Sequence, residues 1–136
     1  MKIVIDANIL FSMIIKAGKT EELLIFYNFE LFAPEYLLGE LENYKKFIFE
    51  KTQRNAEDFD GFLEIIKRRI NIIPNSEITD YIEKATKITP YPDDMYYFAV
   101  ALLLDCPIWS NDKLLKNQYL VKIYNNGDLI KLIRGL

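Results

Sequence analysis

The 136-residue chain contains no histidine, and this absence excludes more chemistry than any single motif supplies. Without imidazole there is no Ser-His or Cys-His nucleophile and no histidine general base. Zinc or iron held by histidine is excluded with it. Cysteine is nearly absent too. Cys106 stands alone, so neither an internal disulfide nor a multi-cysteine zinc site can form, and the compartment it predicts is a reducing cytoplasm. No apolar run reaches the ~18 residues of a membrane span. The opening MKIVIDANIL has one lysine and then an acid inside its apolar stretch, which predicts no secretory leader. Any hydrolytic chemistry must come from carboxylates, lysines, hydroxyls or bound metal ions.

Neither sign of charge dominates. Seventeen basic residues against 20 acidic ones leave a net charge of −3, unpromising for a protein that grips a phosphate backbone. If four of the 20 acids gather around cations, 16 remain against 17 bases, which is near neutral. Overall charge therefore neither supports nor excludes a polyanionic substrate. The length is one domain's worth, enough to bury roughly two-thirds of the unfolded surface. With no internal repeat, low-complexity tract or long linker, residues 1–136 read as a single continuous domain.

What is present is an alternation of strands and helices. KIVI (2–5) is a β-branched run of the kind that makes a buried strand, and it ends at Asp6. NILFSMIIKAG is apolar on nearly every side and predicts a buried helix stopped by Gly18. Thr20 then caps a second helix over EELLIFYNF. Residues 30–33 predict a strand cut off by Pro34, which also suits the first turn of one long helix running to about Lys51. A helix over 56–69, a strand at 72–73 and a helix near 79–87 follow. After the turn TPYPDD comes a strongly apolar helix from Asp94 to Leu104, then a strand at 107–109. A short helix at 112–116, a strand at 120–124 and a terminal helix from Asp128 complete the pattern. Such alternation implies a parallel sheet covered on both faces, a three-layer α/β/α sandwich. Ligands in such folds bind beyond the carboxyl ends of the strands, where strand order reverses.

Four acids fall near that edge. Asp6 ends the first strand, Asp112 follows PIWSN, and Asp94 starts the helix that leads into the fourth strand. Glu40 is chosen by helical phase. Leu37, Leu41, Tyr44 and Ile48 form one stripe, and at ~100° per residue Glu40 falls at its edge while Glu35 and Glu42 point away. The same reasoning favours Asp94 over its neighbour Asp93, with Met95, Phe98, Ala99 and Leu102 as the buried stripe. Singly, each aspartate is more often a helix cap and Glu40 a solvated residue. Together, carboxylates converging on one edge repel one another and call for a compensating cation. Oxygen-only donors suit magnesium or manganese.

VIDANILFS, the glutamate in PEYLLGEL and DDMYYFAVALLLDCPIWSNDKLL, in that order, resemble the PIN-domain family. The resemblance implies a parallel sheet of about five strands between helices, with Mg²⁺ or Mn²⁺ held by acids at its edge. Asp6, Glu40, Asp94 and Asp112 occupy the family's acidic positions. Asn8 matches a polar residue that supports the site, and Ser110 a small hydroxyl residue two places before the last acid. The length is similar to that of the family's VapC-type toxins, ribonucleases neutralised by an antitoxin. The stretch from about Asn55 to Tyr91 carries no matching motif and reads as scaffold or partner surface.

The expected activity is hydrolysis of RNA phosphodiester bonds with one or two Mg²⁺ or Mn²⁺ ions on the four acids. Asp6 and Asp94 are the expected direct ligands. Asp112 and Glu40 would act partly through water, with Asn8 and Ser110 orienting carboxylate or water. Lys113, Lys116, Lys45 and Lys46 are candidates for steering the phosphate backbone, with a solvated surface role equally open. Most of the chain's tyrosines are expected in the core or a dimer interface, and homodimerisation follows from the resemblance alone. An aspartyl-phosphate phosphatase also places an acid after its first strand. It needs a second acid two residues on, where this chain has Asn8, which cannot donate and retrieve a proton. A catalytically silent module that binds RNA or assembles with partners is the other alternative; intact acids at all four positions argue against it.

Overall fold

The computed structural model describes residues 1–15, 21–52 and 56–135. The expected stops and caps at Gly18 and Thr20 lie outside the described residues. Five strands carry the fold: β1 (Lys2–Ile5), β2 (Glu30–Pro34), β3 (Ile70–Ile73), β4 (Ile108–Trp109) and β5 (Ile123–Tyr124). All neighbours pair in parallel, in the order β3-β2-β1-β4-β5. The chain thus moves outward from β1 in one direction and returns to build in the other. The order reverses between β1 and β4, and the crevice at their carboxyl ends is where such a sheet offers a site. Ile3, Val4 and Ile5 are fully buried, as expected of a central parallel strand covered on both faces.

The helices are α1 (Ala7–Ile15), α2 (Glu21–Asn28), α3 (Tyr36–Asn43), α4 (Lys45–Thr52), α5 (Ala56–Arg69), α6 (Asn75–Ile78), α7 (Ile82–Ile88), α8 (Met95–Leu104) and α9 (Asn126–Ile133). Helix α8 packs on β1, β2 and β4 and is backed by α6 and α7, while α1 contacts α2 and α4, and α2 contacts α9. The sheet is therefore enclosed as a three-layer α/β/α sandwich. Among the described residues no helix is long and apolar enough to cross a membrane.

Several elements differ from the sequence expectation. The single long helix after Pro34 is two, α3 and α4, broken at Tyr44 (φ −94°, ψ 2°), whose N–H reaches back to the carbonyls of Glu40 and Glu42. Tyr44 is not part of a buried stripe. It is 47% exposed, and its ring lies 4.9 Å from that of Phe11, so the break lets α4 turn back onto α1. Only Leu37 and Leu41 of the expected stripe are fully buried; the side chain of Ile48 lies outside the described residues. The helix expected near 79–87 is α6, a 3₁₀ turn at Thr79–Tyr81 and α7 in succession. The helix at 112–116 is a 3₁₀ turn, Lys113–Lys116.

The strand expected over 120–124 is reduced to Ile123–Tyr124 because Gln118 takes the place of a ladder. Its amide oxygen accepts from the N–H groups of Leu120 and Val121, and its nitrogen donates to the carbonyls of Leu115 and Val121. Backbone groups that would otherwise need a strand partner are satisfied locally. Helix α8 is also buried more widely than one stripe: Tyr97, Val100 and Ala101 join Phe98 and Ala99 in the core, whereas Met95 and Leu102 are half-buried. A helix apolar all round is one covered on both sides.

Candidate active site

Asp6 emerges from β1 beside the end of β4. Its N–H donates to the carbonyl of Trp109 at 3.1 Å, which fixes the backbone at the strand-order reversal. Its side chain is 8% exposed, and a buried carboxylate is tolerated only when donors surround it. Two do. Ser110 Oγ donates to Oδ2 at 2.7 Å, and the backbone N–H of Asn8 donates to Oδ1 at 3.3 Å. The bond from Asn8 thus comes from its backbone, and its side chain is exposed. Burial raises the proton affinity of Asp6 above the ordinary carboxylate range; the bonds from Ser110 and from the backbone of Asn8 and Ala7 oppose this, and the charge of Asp112 adds to it.

Ser110 joins two of the acids. Nearly fully buried, it also accepts from the N–H of Asp112 at 3.1 Å, so one hydroxyl sets both Asp6 and the turn that carries Asp112. Asp112 does cap a helix: Oδ1 accepts from the N–H of Leu114 at 3.0 Å at the start of the 3₁₀ turn. Asp94 does not. It precedes α8, yet its side chain makes no capping bond to that helix. Half-buried, it has its carboxyl pushed up to about 7 by burial first and then by the charges of Asp6, Asp112, Glu40 and Asp93.

Glu40 projects from α3 to α8, where Oε1 accepts from the hydroxyl of Tyr97 at 2.5 Å. Burial raises its proton affinity, the Tyr97 bond lowers it, and the charges of Asp6 and Asp93 raise it again. Glu42, two residues on, is exposed. The fold therefore brings Asp6, Glu40, Asp94 and Asp112 into one electrostatic neighbourhood, with exposed Asp93 at its margin. The leading charge effects at Asp6, Glu40 and Asp94 all come from other acids.

Tyr97, which sequence reasoning passed over as core, is the residue that bonds the candidate Glu40. It is 3% exposed, and burial and the adjoining acids hold its phenol protonated, above the ordinary tyrosine range. Its spacing was the available signal, since it lies three residues after Asp94, on the same side of the helix. Of the other tyrosines expected in the core or an interface, Tyr36 and Tyr96 are half-buried and stacked at 4.7 Å, while Tyr27, Tyr44 and Tyr91 are exposed. Trp109 is fully buried, its Nε1 donating to Asn126 Oδ1 at 2.8 Å.

The lysines are placed unequally. The Lys45 ammonium lies over the rings of Phe49 and Phe59, and that of Lys116 is 3.6 Å from Asp128. Lys113 is exposed next to Asp112; the side chain of Lys46 lies outside the described residues.

The donor set is chemically suited to a hard divalent cation: carboxylates only, mutually repelling, with no nitrogen or sulfur ligand. Among the described residues, however, no three of these acids stand close enough together to enclose a metal ion. The fit is thus one of donor chemistry, and of an ion that keeps part of its own water, as magnesium does.

A doubly wound α/β/α domain with carboxylates gathered at its strand-order reversal is a class of fold and site together. A family model described as the PIN domain matches residues 4–120; the chain belongs to the PIN-domain family. Among solved structures it is similar to one described as VapBC2 from Rickettsia felis bound to a DNA fragment from its promoter. The two are 18% identical, with a TM-score of 0.66 over 92% of this chain and 98% of that one. At that identity the likeness is one of fold. No curated protein matches the chain in sequence.

Proposed function

We propose that the chain is a metal-dependent endoribonuclease of the VapC type, acting on single-stranded RNA in the cytoplasm. The observation that carries the reading is the state of Asp94. It is half-buried, makes no capping bond to α8, and has its carboxyl raised to about 7 by burial first and then by the charges of the acids around it. A protein that needed only a helix cap there would not gather Asp6, Glu40 and Asp112 around it. Bound Mg²⁺ or Mn²⁺ supplies charge neutralisation at the phosphate and lowers the pKa of the attacking water.

The chain's own residues hold and orient. Asp6 and Asp94 are the direct ligands in this reading, and Glu40 and Asp112 act partly through water. Ser110 fixes one oxygen of Asp6 and the backbone N–H of Asn8 the other, so Asp6 reacts to a ligand without rotamer search. Lys113, exposed and adjacent to the last acid, is the best placed to meet a phosphate of the three lysines whose side chains are described. The domain works as a homodimer restrained by an antitoxin protein. The VapBC2 complex to which the fold is similar supports that partner.

A binding module without catalysis is favoured by one observation, that no three described acids enclose an ion. Cleavage decides between the readings. Purified protein should cut single-stranded RNA with Mg²⁺ or Mn²⁺, lose activity in chelator and act poorly on duplex DNA. Cutting that persists in excess chelator overturns the metal. Equal cutting of DNA leaves a nuclease without RNA preference.

A further inference from the structure

Helix α8 reads MYYFAVALLL, apolar throughout and covered on both sides. At a position with 3% exposure in such a helix, packing alone is served by phenylalanine, as it is at the next residue, Phe98, fully buried. A phenolic hydroxyl there must find an acceptor or lose its hydration uncompensated. The acceptor it has is Oε1 of Glu40, 57 positions earlier in the chain, on α3. This bond is the direct polar link described between the helix that Asp94 precedes and the helix that carries Glu40.

We propose that Tyr97 is a positioning residue for the acidic site: its hydroxyl occupies Oε1 of Glu40 and leaves Oε2 as the oxygen offered to a cation. The inference rests on the metal-dependent reading above. Glutamate has three rotatable bonds, and α3 ends only three residues after Glu40, so the helix alone does little to aim its carboxylate. A hydrogen bond to a charged acceptor is among the stronger ones in proteins. A donor held rigidly in the core supplies the orientation that a loosely held ligand lacks, and loss of such a partner commonly weakens metal affinity about 10–100-fold. Tyr97 touches no reacting atom in this scheme. It acts through Glu40.

The test is calorimetric titration of Mn²⁺ alone, without RNA, into wild type, Tyr97→Phe, Glu40→Gln and the double variant. Tyr97→Leu serves as a second hydroxyl deletion should the phenylalanine variant not fold, and Tyr96→Phe as a control for losing a hydroxyl from the same helix. Removing the Tyr97 hydroxyl should weaken Mn²⁺ binding about tenfold or more. It should weaken binding no further once Glu40 is glutamine, because residues acting through one another are non-additive. Tyr96→Phe should bind as wild type does. A folded Tyr97→Phe that binds Mn²⁺ as tightly as wild type, or losses that simply add in the double variant, overturns the positioning role and leaves the metal reading intact. A wild type that takes up no Mn²⁺ overturns both.

Discussion

Asp94 holds its proton up to about pH 7, whereas the same side chain in an unfolded chain releases it near the ordinary 3.8. Between those values the folded state binds more protons than the unfolded one, so stability falls as pH rises. Asp6 and Glu40, both raised in the fold, push in the same direction. In chelator, the melting temperature should therefore decline from about pH 4 to about pH 7 on account of these groups. Asp94→Asn should flatten much of that decline, a comparison made by melting curves across the range. A wild type whose stability rises over the window would contradict the crowding of charge. Glu40 and Glu42 offer a second residue-scale contrast. Glu40→Gln should lower metal-dependent cleavage strongly, and exposed Glu42→Gln should leave it near wild type; the reverse order would mean that the wrong face of α3 holds the site. The helical-phase argument singled out Glu40 from a stripe that the structure cuts short at Leu41, because one turn of helix was enough to separate positions 40 and 42. The spacing of Tyr97 from Asp94 hinted at the side of the helix it occupies, but its partner was not legible, since a tyrosine in an apolar helix looks the same whether its oxygen faces solvent or a carboxylate on another element.

At the scale of elements, the strands nearest the site were the easiest to read and the connections the hardest. Ile3-Val4-Ile5 and Leu31-Phe32-Ala33 announce themselves by unbroken apolar character, which central parallel strands require. The break at Tyr44 carries no glycine or proline, and it accompanies a ring packed on Phe11, a contact between segments far apart in sequence. The shortening of β5 has a similar origin, because Gln118 satisfies the backbone by a side-chain route that periodicity does not register. These local roles separate two acids that the sequence treated alike. Asp112 caps its turn and Asp94 makes no capping bond to α8. Asp112→Ala should cost about 1 kcal/mol of stability, within the usual range for a lost cap, while Asp94→Ala in chelator should cost less or raise the melting temperature. Equal losses would return Asp94 to an ordinary structural role. Ser110→Ala should be the more damaging change, because it removes the 2.7 Å donor from buried Asp6 and the acceptor for Asp112 N–H together. Leaving buried polar groups unpaired costs about 1–3 kcal/mol each, and denaturant titration would measure the loss.

For the whole molecule, one topological fact gathers the site. Because the sheet builds outward from β1 in both directions, the residues following β1 and β4 become neighbours although 104 positions separate Asp6 from Ser110. The alternation of strands and helices made that edge predictable, and the order of the acids along the chain carried the family resemblance that the match over residues 4–120 establishes. What the alternation could not supply was the spacing among the acids, which depends on how α3 and α8 pack across the sheet. The central claim is that these acids form a cation site, and the most direct measurement is the melting temperature of wild type and Asp94→Asn, each in chelator and in Mn²⁺. A ligand that binds only the folded state stabilises it, by about 2.7 kcal/mol at a hundred times its Kd. Wild type should melt distinctly higher with Mn²⁺, and Asp94→Asn should start at or above wild type in chelator yet lose most of that rise. An equal Mn²⁺-induced rise in both proteins, or none in wild type, would contradict the claim.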